Sequence, residues 1–255
     1  MWEEPVISGT RGSGTVFFSG CSLGCIYCQN KEISGGELGS RVTTDRLSGI
    51  YTELEAEGAH NVNLVTPTHY LPSIIESVDK ARAKGLTVPI VYNTSSYETR
   101  EALRALSDTV DVFLPDLKYY KPSTASALSL AKDYPSVAWY AIEEMVRLRP
   151  EPVITDGLLK SGVLIRILLL PGHLAEAKLN VKRISERFSD SVYVSLMSQY
   201  TPSAGLPSPL DRRVTRSEYE ELVDYAVGKG IRNAFIQDYS SADASYVPPF
   251  DLTGV

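Results

Sequence analysis

Short runs of β-branched residues alternate along the chain with longer stretches in which apolar residues recur every three or four positions. The short runs, at residues 15–19, 62–65, 88–92, 110–114, 163–170, 192–196 and 234–237, predict strands. Leu47, Ile50, Tyr51 and Leu54 fall on one face of a helix over residues 44–57, with Thr43 or Thr44 as its polar cap and Gly58 as its stop. The same spacing predicts helices near 71–84, ended by Gly85, over 98–106 and 175–188, and over 216–229, ended by Gly230. Residues 119–161 are too many for one helix and read as two, near 123–132 and 137–149. Residues 201–214, with Pro202, Pro207 and Pro209, and the tail 240–255, with Pro248 and Pro249, read as loops.

Strand followed by helix, repeated several times, predicts parallel strands joined by right-handed crossovers, hence an α/β barrel or part-barrel. No boundary divides the pattern, so one domain is expected over residues 1–255, a length at which such barrels are built. Charge narrows the partners. Lys plus Arg number 25 against 31 Asp plus Glu, a net charge of -6, which leaves nothing to neutralise a phosphate backbone, so no nucleic acid is expected. The strongest apolar run, 163–170, is broken by Arg166 and falls far short of the ~20 residues of a membrane-spanning helix. Met1-Trp2-Glu3-Glu4-Pro5 lacks the basic and apolar regions of a secretory signal, and the expectation is a cytoplasmic protein without membrane contact.

Cys21, Cys25 and Cys28 are the chain's three cysteines. An odd, tightly clustered set makes no disulfide framework; in a reducing compartment it points to metal binding or redox work. The spacing C-x3-C-x2-C follows the first expected strand directly, and Gly20 and Gly24 permit the turn that brings three thiolates together. An iron-sulfur cubane held by three thiolates keeps one iron without a protein ligand, whereas electron carriers hold theirs by four cysteines. An open position takes an exogenous ligand, as an open zinc site does. Two other readings of the cysteines stand beside this one. A structural zinc site would take His60 or His69 as fourth ligand, although such sites usually draw on a second C-x2-C pair. Three free thiols gathered on one loop would be an odd outcome of packing alone.

The motif Cys21-x3-Cys25-x2-Cys28, with Tyr27 just before the last cysteine, resembles the signature of the radical S-adenosylmethionine superfamily. Trp2-Glu3-Glu4-Pro5, Phe18-Ser19-Gly20-Cys21, Cys28-Gln29-Asn30, Leu64-Val65-Thr66-Pro67-Thr68-His69, Val91-Tyr92-Asn93-Thr94, Leu114-Pro115-Asp116-Leu117-Lys118 and Leu196-Met197-Ser198-Gln199-Tyr200-Thr201-Pro202 are similar to its pyruvate formate-lyase activating enzyme-like branch. The likeness runs over nearly the whole chain and speaks to lineage more than to substrate. It implies a partial (β/α)6 TIM-like barrel with its site at the carboxyl ends of the strands. It implies a [4Fe-4S] cluster on the three cysteines, with the amino and carboxylate groups of S-adenosylmethionine on the fourth iron. Reductive cleavage then gives a 5'-deoxyadenosyl radical that abstracts hydrogen, while the protein supplies placement and exclusion of water.

Carried over residue by residue, the resemblance places Tyr27 against the adenine, where it could also simply shield the cluster. Relatives receive the substrate amino group on a Gly-Gly-Glu motif at the end of the second strand. Here that stretch is Thr66-Pro67-Thr68-His69, so hydroxyls of Thr66 and Thr68 or backbone carbonyls take the role. Gly35-Gly36-Glu37 spells the motif in the wrong place and reads as a turn. Asn93, Thr94, Asp116 and Lys118 match positions that gather around the methionine carboxylate and that can hold a monovalent cation, with Asn93 standing where an acid is often found. The alternative for Asp116 and Lys118 is a strand-end ion pair of little consequence, but charge at the carboxyl end of a barrel strand favours the functional reading. Arg166 matches an arginine facing the same carboxylate, since a guanidinium in an apolar strand costs free energy unless an anion answers it; an edge-strand arginine in solvent is the plainer reading. Gln199 and Tyr200 match contacts to ribose or adenine, and His173 reads as a solvated loop residue.

The partners implied are a low-potential electron donor of flavodoxin or ferredoxin type and a glycyl radical enzyme that yields its backbone hydrogen. A radical enzyme acting on a peptide side chain or small molecule, and a non-catalytic iron-sulfur or zinc protein, are the alternatives. Longer members of the branch carry a cysteine-rich stretch ahead of Trp-Glu-Glu-Pro; this sequence starts at that segment, with Val6 where a further cysteine is sometimes seen, so a short form or a trimmed chain is implied.

Overall fold

The computed structural model describes residues 4–237 and 250–255. Its strands are β1 (Gly14–Phe17), β2 (Val62–Val65), β3 (Ile90–Thr94), β4 (Val112–Pro115), β5 (Val153–Thr155), β6 (Leu158–Leu168), β7 (Tyr193–Met197) and β8 (Ala234–Ile236). The helices are α1 (Pro5–Ser8), α2 (Lys31–Ser34), α3 (Thr44–Ala56), α4 (Leu71–Ala83), α5 (Arg100–Ala105), α6 (Pro122–Ser129), α7 (Tyr134–Leu148), α8 (Leu174–Arg187) and α9 (Arg216–Gly228). Strand order is β1-β2-β3-β4-β6-β7-β8, every neighbouring pair parallel, with β5 antiparallel on β6. The result is the expected partial TIM-like barrel. Among the described residues β1 and β8 each have one strand neighbour, so the ring of strands is open there. No described helix is long and apolar enough to cross a membrane.

Alternation along the strands sorts the core into two sides. Ile90, Tyr92, Phe113, Val163 and Ile165 pack outward with Ile74, Val78, Leu103, Ile142 and Met145 of the surrounding helices. Val91, Val112, Leu114 and Leu164 point inward and pack with Val6 and Ile7 of α1 and with Leu159. Asn61, just ahead of β2, donates from Nδ2 to the Ile7 carbonyl at 2.8 Å. Thus α1 closes the amino end of the barrel, and each of its two buried aliphatic side chains contributes about 2 kcal/mol by burial.

All seven expected strands form, β2 with the expected ends and the other six with shifted ones. β3 begins at Ile90 rather than 88, because Pro89 has no N–H and the Val88 N–H is held by Glu55 Oε1 at 3.2 Å. β4 starts two residues later than 110, because the Val110 N–H still bonds to Leu106 as part of the turn that ends α5. β6 starts five residues earlier than 163 and ends two sooner than 170, because Asp156 and Gly157 at φ 53° and 75° turn β5 back onto it as a tight hairpin. The helix expected over 98–106 begins at Arg100, with the Thr99 hydroxyl as its cap. Of the two cap candidates for α3, Thr43 is the one that accepts from the Arg46 N–H, at 3.1 Å. Helices α1 and α2 and strand β5 had no sequence expectation. Of the expected tail loop, residues 240–249 lie outside the described residues, and 250–255 are irregular.

Candidate functional site

The cysteine loop leaves the carboxyl end of β1 and is pinned on two sides. Behind it, the Gly20 N–H donates to the Ile33 carbonyl at 2.8 Å, with Gly20 at φ 89°, a conformation in which a side chain would be strained. In front, the Gly24 and Ile26 N–H groups donate to the Ser129 and Leu128 carbonyls at 3.2 and 3.0 Å, where α6 ends. A Cβ on Gly24 would lie 2.9 Å from Leu130 Cδ1, so the loop and the helix end meet backbone to side chain. All three cysteines are partly exposed. Burial above all, and then the neighbouring Cys25 and Cys28, push the Cys21 thiol up against the Leu23 N–H and the Lys118 charge. Ser129 Oγ donates to Cys25 Sγ at 2.9 Å. Behind it lie the hydroxyls of Tyr119, at 2.5 Å, and of Tyr27, at 2.6 Å from Tyr119.

Among the described residues no three His, Cys, Asp or Glu side chains converge to hold a single metal ion. A zinc site would bring its sulfurs to within roughly 4 Å of one another, since each lies ~2.3 Å from the metal. A cubane instead gives each thiolate its own iron. His60 is ruled out as a zinc ligand: its backbone pairs with Gly12 ahead of β1, at the opposite end of the barrel, and its ring meets Arg11 Nη2 at 3.2 Å. His69 does lie beside the loop, exposed.

Inside the barrel mouth the ends of β3, β4 and β6 bring four of the expected residues together. Arg166 donates to Asp116 Oδ1 from Nε at 2.9 Å and from Nη2 at 2.8 Å, and from Nη2 also to Asn93 Oδ1. Lys118 Nζ meets Asp116 Oδ2 at 2.7 Å. β6 lies between β4 and β7 and the Arg166 side chain is 11% exposed, so the reading as an edge arginine in solvent is wrong. Burial would raise the Asp116 carboxyl, but the charges of Arg166 and Lys118 outweigh it and hold it below the usual carboxylate range. Burial likewise disfavours the Lys118 ammonium, yet Asp116 and then Cys25 hold it charged. Asp116–Lys118 is therefore no inconsequential surface pair. The oxygens on which the monovalent-cation expectation rested are engaged by Arg166 and Lys118.

Thr68 and Thr94 lie elsewhere. With Tyr92 they donate to Glu98 Oε1, at 2.6 Å from Thr68, 2.7 Å from Thr94 and 3.1 Å from Tyr92. Glu98 is buried, and burial above all pushes its carboxyl up against these three donors. Asn93 points into the barrel, so its neighbour Thr94 points out toward the helices; both threonine hydroxyls brace the strand ends from behind. Thr66, at φ 56°, ties β2 to β3 through its N–H and the Asn93 carbonyl at 2.9 Å. Gly35-Gly36-Glu37 follows α2 as a turn, with Gly36 at φ 81°.

Beyond β7, Gln199 Nε2 lies 3.5 Å from Met197 Sδ. The Tyr200 hydroxyl donates to the Leu210 carbonyl at 2.6 Å, which folds the 201–214 loop inward, and its ring centroid is 6.1 Å from that of Tyr27. Tyr27 thus faces from the cysteine loop toward the β7 end. His173 is not simply solvated: it is 26% exposed and 3.7 Å from Glu176. Glu176, on α8, was missed in the sequence. It accepts the N–H groups of Tyr120 and Lys121 at 3.1 and 3.0 Å and the Thr124 hydroxyl, capping α6 from a distant part of the chain. Glu98, Tyr119 and Ser129 were missed as well: Ser129 serves a sulfur 104 residues away, Tyr119 a hydroxyl 10 away, and Glu98 joins Thr94 and Tyr92, 4 and 6 residues away, to Thr68, 30 away.

Comparison with known proteins fits this arrangement. A protein of Methanocaldococcus jannaschii described as uncharacterized is 28% identical over 224 residues, 84% of this chain, and this chain spans 62% of that relative's length. Among solved structures, SuiB of Streptococcus suis bound to its precursor peptide SuiA superposes with a TM-score of 0.59 at 14% identity, covering 88% of this chain and 48% of that one. A domain of pyruvate-formate lyase-activating enzyme from Bacteroides vulgatus gives a TM-score of 0.51 at 13% identity, covering 68% of this chain and 94% of that one. Residues 15–182, from β1 into α8 and so including the three cysteines and the Asp116–Arg166 cluster, match the family pattern throughout, and the chain belongs to the Radical SAM superfamily.

Proposed function

We propose that this chain is a [4Fe-4S]-dependent enzyme that cleaves S-adenosylmethionine reductively and abstracts hydrogen from a polypeptide, in the manner of an activase acting on a glycyl residue of a partner enzyme. The observation that carries the reading is the placement of three thiols, the only cysteines in the chain, on one loop at the barrel mouth beside the half-buried Asp116, Lys118 and Arg166. That donor set suits a cubane with one iron left open better than a single ion. When bound, the cluster supplies the electron that breaks the carbon-sulfur bond of S-adenosylmethionine.

Cys21, Cys25 and Cys28 hold the cluster in this reading. Lys118 and Arg166, oriented by Asp116 and Asn93, present cationic groups to the methionine carboxylate at the mouth. The Thr66–His69 turn offers backbone carbonyls to the amino group, while Thr68 and Thr94 act through Glu98 by fixing the strand ends. Tyr27, flanked by Tyr200, and Gln199 form the wall against which the adenosine lies. Arg166 and Lys118, on the Asp116 and Asn93 oxygens, supply positive charge at this point in this reading. Support for a polypeptide hydrogen donor comes from the two structural neighbours, one bound to a precursor peptide and one named for activating pyruvate-formate lyase. A peptide side chain is the second reading, suggested by the neighbour bound to a precursor peptide. The electron would come from a flavodoxin- or ferredoxin-type protein, in the cytoplasm.

Anaerobic reconstitution with iron and sulfide, reduction and assay for 5'-deoxyadenosine test the core of the proposal. Cys25→Ala should lose both cluster and product; either surviving in that variant refutes the ligand assignment. A glycine-centred radical on a large partner protein supports the activase reading, whereas a modified side chain without it favours the second.

A further inference from the structure

Behind Cys25 three buried hydroxyls stand in line, and the chemistry of a bound thiolate gives the line a direction. Ser129 Oγ lies 2.9 Å from Cys25 Sγ, Tyr119 Oη 2.5 Å from Ser129 Oγ, and Tyr27 Oη 2.6 Å from Tyr119 Oη. Tyr119 and Ser129 are each 1% exposed and Tyr27 is 8% exposed, so water does not compete for these bonds. A metal-bound thiolate has no proton and can only accept. Ser129 has a single hydroxyl proton; once that is given to sulfur, Ser129 accepts from Tyr119, and Tyr119, its own proton spent, accepts from Tyr27. Every proton in the row then points toward the sulfur. Aligned hydroxyls polarise one another, which strengthens the last bond beyond that of an isolated serine.

Resting on the reading of Cys25 as a cluster ligand, we infer that Ser129, backed by Tyr119 and Tyr27, is a positioning residue that sets the reduction potential of the iron-sulfur cluster through a directed hydrogen bond to the Cys25 sulfur. A donor on a ligating sulfur draws electron density from it and stabilises the reduced, more negative cluster, raising its potential. The arrangement also separates this role from support of the loop. Gly24 and Ile26 are held by the backbone carbonyls of Ser129 and Leu128, which a side-chain substitution leaves in place.

The test is a potentiometric titration of the reconstituted protein with dithionite, followed by the electron paramagnetic resonance signal of the reduced cluster, after iron and sulfide content show equal loading. Ser129→Ala should make reduction about tenfold less favourable, a downward shift of about 59 mV for one electron. Tyr119→Phe, which leaves Ser129 but removes the donor behind it, should shift the potential in the same direction by less. Ser129→Thr, which keeps the hydroxyl, should stay close to the parent. A fully loaded Ser129→Ala protein with the parent potential, or shifted upward, overturns the inference. If that variant does not load, Tyr119→Phe decides, and an unchanged potential there overturns it. Failure of the parent protein to assemble a [4Fe-4S] cluster would instead refute the functional reading beneath it.

Discussion

Replacing Glu176 by alanine removes the carboxylate that caps α6 from across the helix layer. Burial alone would raise that carboxyl; the His173 ring, the Thr124 hydroxyl and the N–H groups of Lys121 and Tyr120 outweigh it and hold it at about 2, from an ordinary 4.5. Linkage converts a depression of that size into at most about 3 kcal/mol at neutral pH, and the dielectric response of the protein around the charge reduces the expectation to about 2 kcal/mol. The group is more acidic in the folded than in the unfolded chain. Its contribution is therefore complete above the ordinary carboxylate value, near 4.5, and declines as pH falls from there toward 2. Urea unfolding of parent and Glu176→Ala protein under reducing conditions should show a gap of about 2 kcal/mol at pH 7 that narrows below pH ~4.5. Hydrogen exchange supplies a local readout: the Gly24 and Ile26 amides, bonded to the far end of α6, should exchange faster in the variant. A gap under about 0.5 kcal/mol at pH 7, or one that does not change with pH, would mean that α6 is held by its apolar face and not by this cap.

Two further substitutions separate the inward-facing residues from those behind the strands. Asp116→Asn leaves the half-buried Arg166 and Lys118 without their shared carboxylate and should cost about 2 kcal/mol in urea unfolding, together with weaker S-adenosylmethionine binding by equilibrium dialysis of the loaded protein; wild-type values for both would remove Asp116 from the site. Thr94→Val removes one of three donors to the buried Glu98 and should cost about 1.5 kcal/mol, with S-adenosylmethionine affinity unchanged; a large loss of affinity at full stability would place the hydroxyl in the site after all.

The strand-helix alternation carried the parallel sheet and its order because period-two and period-3.6 patterns are local. What escaped was governed by contacts between distant segments or by a turn signal passed over. Asp156-Gly157, between Val153-Ile154-Thr155 and Leu158-Leu159, is a hairpin signal legible in the sequence, and attention to it would have found β5 and the early start of β6. At the site, the cysteine spacing and the Asp116-Leu117-Lys118 segment stood out because each acts within a few residues. The orientation of Thr94 was also within reach: with Asn93 assigned inward, alternation alone turns its neighbour outward. Glu98, Glu176 and Ser129 were not legible. Glu176 acts on residues 52 to 56 positions away and Ser129 on a sulfur 104 positions away, separations that only the curled sheet and its helix layer bring together.

Among the described residues β1 and β8 each keep one edge without a strand neighbour, and Phe250 packs against Phe17 of β1 with ring centroids 5.3 Å apart. A sealed ring admits only what fits down its throat, and α1 bars the far end. Two unjoined edges change that constraint from one of diameter to one of width.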